Sequence, residues 1–160
     1  MSLFEKTCFF TGHRIISPQE KNNIERALRM EILNAVNNGI DVFISGGAIG
    51  FDTMAAEQVI VMRQDYDITL KLYLPCKDHF LNWGEGDRLK FHRISAAADS
   101  IFYVSGQPYR EGCMKKRNKA MTEASDMCIA YMKNPRSGTA QTVKMAINKG
   151  IEVVNIAEIL

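Results

Sequence analysis

The sequence contains no CxxC pair. Cys8, Cys76, Cys113 and Cys128 are scattered along the chain, so neither zinc-ribbon spacing nor a compact disulfide framework is present, and reduced thiols are expected. His79 and His92 lie near Glu85 and Asp87 but form no HExxH or comparable ligand pattern, so neither a metal site nor a cofactor is expected. Charge of one sign is also missing. Lys and Arg number 20 against 18 Asp and Glu, a formal +2, well short of the basic excess of a duplex-binding module, so duplex nucleic acid is not an expected partner. No long apolar run occurs: after the mixed charges of Met1–Thr7, the stretch Cys8–Phe10 is too brief for a signal-peptide core or a membrane span. A cytoplasmic protein without a membrane partner is expected. Internal repeats, low-complexity tracts and Pro/Gly/Ser linkers are missing too, so residues 1–160 read as one domain.

What is present is a composition with 46% hydrophobic and 24% charged residues over 160 positions, enough to bury a core without disulfide or metal staples. Apolar runs of strand length alternate with longer segments of helical period, the pattern of an α/β fold in which helices cover a parallel sheet. The strands are expected at Lys6–Phe10, Asp41–Ile44, Thr69–Leu74, Ser100–Val104, Met127–Met132 and Ile151–Ile156. The first helix carries Ile24, Ala27, Leu28, Ile32, Ala35 and Val36 at spacings of three and four, with Ser17 as its cap, Pro18 in its first turn and Gly39 at its end. Further helices are expected over Phe51–Arg63, Asp87–Ala98, Met114–Glu123 and Ser137–Lys149, the last ended by Gly150.

In such sheets ligands settle beyond the carboxyl ends of the strands, where strand order reverses. Three turns should meet there: Thr11-Gly12-His13-Arg14 after the first strand, Ser45-Gly46-Gly47-Ala48-Ile49-Gly50 after the second, and Arg136-Ser137-Gly138-Thr139 after the fifth. Glycines let the backbone turn sharply and approach a ligand, and the first amides of a helix lack internal acceptors, so the second turn can hold phosphate; a glycine turn also serves simply to pack a helix onto its strand. The dinucleotide fingerprint GxGxxG does not follow the first strand, and no Walker lysine exists. Arg14 can fork onto phosphate oxygens, and His13 can donate to a ligand or orient its loop. Ser137 can cap its helix and still face an anion. Asp52 can accept from a ribose hydroxyl or hold water, or merely complement its helix dipole; Glu57 stands more than a turn away. Tyr109 can stack on a base and Asn118 can pair with a base edge. Arg117 belongs to a basic run with Lys115, Lys116 and Lys119 that also reads as a solvated helix face. Cys113 begins that helix without an identifiable partner histidine. Trp83 and Phe80 read as a wall over the rim or as core anchors.

At these residues the chain resembles the YpsA family of the SLOG superfamily of Rossmann-like proteins. The resemblance spans nearly the whole chain and is carried by Phe10-Thr11-Gly12-His13-Arg14, Ser45 to Asp52 with Ala55, Ala56 and Glu57, Leu74-Pro75, Asn82-Trp83, Tyr109, Arg117-Asn118 and Gly138-Thr139-Ala140. It implies a three-layer α/β/α domain with a mostly parallel sheet of about six strands. It also implies a nucleotide or nucleotide-derived ligand; a homodimer is left open, since superfamily members often dimerise. Related branches supply rival functions: phosphoribohydrolases that cut the base from a nucleoside monophosphate, and the DNA-processing protein DprA, which binds single-stranded DNA. The phosphoribohydrolase motif PGGxGTxxE is altered here to Pro135-Arg136-Ser137-Gly138-Thr139-Ala140-Gln141-Thr142, with Thr142 where the glutamate would stand. Turnover is therefore left open, with Asp52 and Glu57 as candidate catalytic carboxylates.

Overall fold

The computed structural model describes residues 5–106 and 108–160; the first four residues of the Met1–Thr7 segment, and Gln107 in the Ser105–Gly112 loop, lie outside the described residues. Strands and helices alternate without exception: β1 (Thr7–Gly12), α1 (Lys21–Asn37), β2 (Val42–Ser45), α2 (Phe51–Met62), β3 (Thr69–Leu74), α3 (Glu85–Ala97), β4 (Ser100–Tyr103), α4 (Cys113–Glu123), β5 (Met127–Tyr131), α5 (Gly138–Lys149) and β6 (Glu152–Asn155), followed by a single 3-10 turn at Ile156–Glu158. The strands form one sheet in the order β4-β3-β2-β1-β5-β6, and every neighbouring pair is parallel. This is the three-layer Rossmann-like α/β/α architecture.

The pleat sorts each central strand between two cores. Cys8 and Phe10 of β1, Phe43 of β2 and Ile129 of β5 enter the cluster under α1, α2 and α3. Their neighbours Phe9, Ile44, Cys128 and Ala130 enter the cluster under α4 and α5. On α1 the residues Ile24, Leu28, Ile32 and Ala35 are buried, a stripe three to four residues apart that faces the sheet. Nearly all of α2 is buried, because it sits between α1 and α3 as well as on the sheet. All four cysteines are free and buried.

Two expectations need correction at chain level. β1 continues through Thr11 and Gly12, which pair with Ala130 and Tyr131 of β5, so the first candidate turn begins at His13, two residues later than expected. Ser17 does not cap α1. Its carbonyl accepts from the Glu20 amide at 3.0 Å, its hydroxyl donates to Gln19 Oε1 at 2.5 Å, and the helix begins at Lys21. The reason is tertiary: Tyr131 Oη and Lys133 Nζ donate to the Glu20 carboxylate at 2.5 and 2.6 Å, fixing residue 20 in place before the first helical turn.

Topology now positions the site. From β1 the chain works outward through β2, β3 and β4 on one side, then returns to β1's other side for β5 and β6. Strand order therefore reverses between β1 and β5, and the loops leaving their carboxyl ends diverge to open a crevice.

Candidate functional site at the strand-order reversal

A hollow of about 300 Å³ occupies that crevice. β1 and its loop contribute Thr11, Gly12, His13 and Arg14; the glycine turn and α2 contribute Ala48 and Asp52. Met114, Arg117 and Asn118 face it from α4, and Ser137, Gly138 and Thr139 from the start of α5. Three of the predicted site residues lie behind the wall instead. Ser45, Gly46 and Gly47 are buried, and they shape the turn from within. Gly50 and Glu57 line a neighbouring hollow of about 220 Å³ with Lys21, Asp87 and Lys90, and Tyr109 lines a third of about 460 Å³. Arg14 borders all three hollows.

The glycine turn is built more tightly than its sequence suggests. The Ser45 hydroxyl donates to the Asp52 carbonyl at 2.9 Å and accepts the Gly47 amide at 3.2 Å, while the Ala48 amide donates to Asp52 Oδ2 at 3.4 Å. Two of the amides that the sequence offers to an anion are thus engaged by the turn's own side chains. Gly50 takes φ +84°, and a Cβ there would lie 2.3 Å from the Arg14 carbonyl oxygen, so the turn locks against the first loop only with glycine at this position. The Phe51 amide completes that lock by donating to the His13 carbonyl at 3.1 Å.

At the floor two opposite charges are buried together. Asp52 is 5% exposed and Arg117 is 4% exposed. The Arg117 guanidinium donates to the Gly46 carbonyl, to Asn118 Oδ1 at 2.8 Å and to the Met114 sulfur at 3.8 Å. A Cβ on Gly46 would lie 2.7 Å from a guanidinium nitrogen and 2.8 Å from Asp52 Oδ2, so the absence of a side chain there is what admits both groups. Burial raises the Asp52 carboxyl to about 6, against the opposing pull of Arg117 and the Ala48 amide. Burial lowers the Arg117 pKa, opposed by Asp52, although a guanidinium keeps its charge.

The upper wall is electropositive. Arg14 is exposed, and among the described residues its side chain makes a single long contact, 3.9 Å to the Met114 sulfur. His13 Nε2 accepts from the amides of Lys133 at 2.8 Å and Asn134 at 3.3 Å, which leaves the ring proton on Nδ1. Burial and the nearby Lys133 lower the His13 pKa, and the neutral ring orients the β5–α5 loop. In that loop the Ser137 hydroxyl accepts from the Ala140 amide at 3.1 Å and the Ser137 carbonyl accepts from Gln141, so Gly138 and Thr139 present the helix amides without an intrahelical acceptor. Thr142 is fully buried, its hydroxyl donating to the Gly138 carbonyl at 3.1 Å, so the place of the glutamate holds no acid. On α4, Lys115, Lys116 and Lys119 are exposed while Arg117 turns inward, dividing the basic run between solvent and site.

Sequence reasoning missed Met114, whose sulfur meets both arginines and which borders two hollows. Its only signal was its place one residue after the start of a helix that carries Arg117. Among the described residues no group of three or more His, Cys, Asp or Glu is arranged to hold a metal ion, and no helix is long and apolar enough to cross a membrane.

A family profile described as the YspA SLOG family matches residues 15–157. A UPF0398 protein of Halalkalibacterium halodurans is 27% identical over 118 residues, which make up 72% of this chain and 62% of that protein. A UPF0398 protein of Bacillus cereus is 27% identical over 134 residues, covering 82% of this chain and 73% of the relative. Among solved structures, DNA processing protein A from Helicobacter pylori, described with a single-stranded DNA binding mode, superposes with a TM-score of 0.66 at 20% identity, covering 92% of this chain and 63% of its own. The molybdenum cofactor binding protein from Rippkaea orientalis superposes with a TM-score of 0.60 at 18% identity, covering 95% and 76%. At such identities the likeness is one of fold. The chain spans less than two thirds of the Halalkalibacterium relative and of the Helicobacter structure.

Proposed function

The chain belongs to the YspA SLOG family, and from that membership and the geometry of the rim we propose that it is a binding or sensing domain whose hollow between β1 and β5 takes the phosphate of a nucleotide or nucleotide-derived ligand. One observation carries the reading: the crevice at the strand-order reversal gathers Arg14, the buried Arg117 and the Gly138 and Thr139 amides at the start of α5, which have no acceptor among the described residues, around a single space. Cations and helix amides in a partly enclosed site attract oxyanions, and no catalytic carboxylate is needed for that. Millimolar nucleoside phosphates are expected to raise the melting temperature of the protein, since a ligand that binds only the native state stabilises it. Arg14→Ala is expected to weaken the effect by about tenfold or more in ligand concentration, the usual cost of a charge-assisted phosphate contact. A panel of nucleotides that leaves the melting temperature unmoved sinks the reading.

A second reading is favoured by Asp52 alone. A carboxyl raised to about 6 beside a guanidinium, in a cleft, is the kind of group that serves as a general acid or base, here for cleavage of a nucleotide N-glycosidic bond. Free base released from a nucleoside monophosphate, abolished in Asp52→Asn with binding intact, identifies it. Because the Helicobacter relative by fold is described as binding single-stranded DNA, oligonucleotide binding is a third and weaker reading. It requires a steep loss of affinity with salt, whereas a mononucleotide pocket gives a shallow slope.

A further inference from the structure

We infer that the third hollow, about 460 Å³ beside the phosphate crevice, is a ring subsite that selects a 2-amino-4-oxopyrimidine edge, the edge shared by guanine and pterins. This rests on the phosphate reading above, because Arg14 and Met114 border both hollows and so join the two spaces. A ligand with its phosphate in the first hollow extends into the third across that shared border.

The walls are suited to a flat, neutral ring. Trp83 packs perpendicular to His79 and Phe91, with centroids 5.2 and 5.8 Å away, so neither ring stacks on the indole. Tyr109 stands at the mouth, 56% exposed. His79 belongs to the same lining, and burial lowers it to about 4, against the Cys76 carbonyl that its Nδ1 faces at 3.2 Å. A carbonyl only accepts, so Nδ1 holds the proton and the ring is uncharged at neutral pH; its buried Nε2 faces the Gly47 backbone without forming a hydrogen bond of good geometry among the described residues. The half-buried indole and the exposed Tyr109 ring line the hollow with aromatic surface on which a heteroaromatic ring gains stacking and dispersion, while the neutral His79 lies buried beside the indole and adds no opposing charge.

Asp78 supplies the selectivity. Its Oδ1 accepts the Tyr109 amide at 2.8 Å, a bond that ties the segment after β3 to the loop before α4 and fixes the carboxylate in the lining of the hollow. A carboxylate only accepts, and beyond the Tyr109 amide and the neighbouring Cys76 thiol its two oxygens retain further lone pairs. Guanine and pterins present a ring N–H and an amino group side by side, two donors in one plane that a carboxylate receives together. Adenine and cytosine present a ring nitrogen acceptor beside their amine, which places lone pair against lone pair. Asp78 is half-buried, and an analogue that sets an acceptor against its carboxylate brings lone pair against lone pair, which lowers its affinity relative to one that offers two donors.

The test is calorimetric titration of the full chain with GMP, AMP, CMP, IMP, XMP and neopterin monophosphate. GMP or neopterin monophosphate is expected to bind at least about tenfold more tightly than AMP or CMP, and IMP, which lacks the 2-amino group, to fall between them. The stronger of the first two tells whether the edge belongs to a nucleobase or a pterin. Asp78→Asn, which exchanges an acceptor for an amide donor, is expected to transfer preference from GMP to XMP, a reversal that a merely structural role of Asp78 does not produce. Equal binding of GMP and AMP, both dependent on Arg14, overturns the ring assignment and leaves the phosphate reading standing; so does an Asp78→Asn variant that loses all ligands alike. No binding by any of the six overturns both. Should that variant fail to fold, the ratio of GMP to IMP on the unaltered protein still decides.

Discussion

Asp52 and Gly46 show how far single residues here are shaped by their partners. The carboxyl of Asp52 is raised from an ordinary value near 3.8 to about 6 by burial. The native state therefore binds the proton more tightly than the unfolded chain, and this group's contribution to stability is fully present below about pH 4 and lost as pH rises through about 6. Urea titrations of the wild type and Asp52→Asn are expected to diverge over that window, the variant gaining on the order of 3 kcal/mol relative to the wild type between pH 4 and 7. Parallel curves would mean that Asp52 is solvated as an exposed carboxylate. Gly46 makes the complementary case, since its missing Cβ leaves room for both Arg117 and Asp52. Gly46→Ala is expected to cost about 1–3 kcal/mol in chemical denaturation, the usual penalty of overpacking, and to displace Arg117 from the floor of the crevice. Neither effect has a local signal: a glycine-rich turn is visible in the sequence, but the arginine seventy-one positions away that fills the space is not.

At the scale of elements, the two serines read as helix caps separate cleanly. Ser137 holds the cap position of α5, its hydroxyl accepting from Ala140, whereas Ser17 lies in a turn before α1. Ser137→Ala is expected to lower stability by about 1 kcal/mol, while Ser17→Ala stays within about 0.5 kcal/mol of the wild type; thermal melts of the pair check both. A comparable loss in the two would restore Ser17 to the helix. β3 was legible to both ends, because an alternating run begins at Thr69 and stops at Pro75. β1 was legible only to Phe10, since its extension depends on pairing with Ala130 and Tyr131 of a strand more than a hundred residues away. β4 was legible as a strand but not as an edge. Its Ile101, Phe102 and Tyr103 are 38%, 51% and 40% exposed, although their apolar character reads as core.

For the molecule as a whole, strand order makes one site from segments that are far apart in sequence. The loops after β1 and β5 and the start of α4 share the crevice because β1 lies between β2 and β5. A bound nucleotide is accordingly expected to slow amide hydrogen exchange together at residues near 13, 48 and 138, and to leave the exposed edge at β4 unchanged, as measured by exchange mass spectrometry. Protection confined to one of those loops would show that the ligand does not span them.

The alternation of strand and helix around a parallel sheet and the choice of three candidate loops were determined by the sequence itself, because periodicity, turn chemistry and helix stops are local properties of neighbouring residues. Only the tertiary structure decided which of those residues meet. It turned Arg117 inward from a basic run, spent the amides of Gly47 and Ala48 on Ser45 and Asp52, and set Glu57 and Tyr109 in separate hollows. Burial and charge pairing act through space, and the order of strands that sets those distances is written in no single stretch of chain.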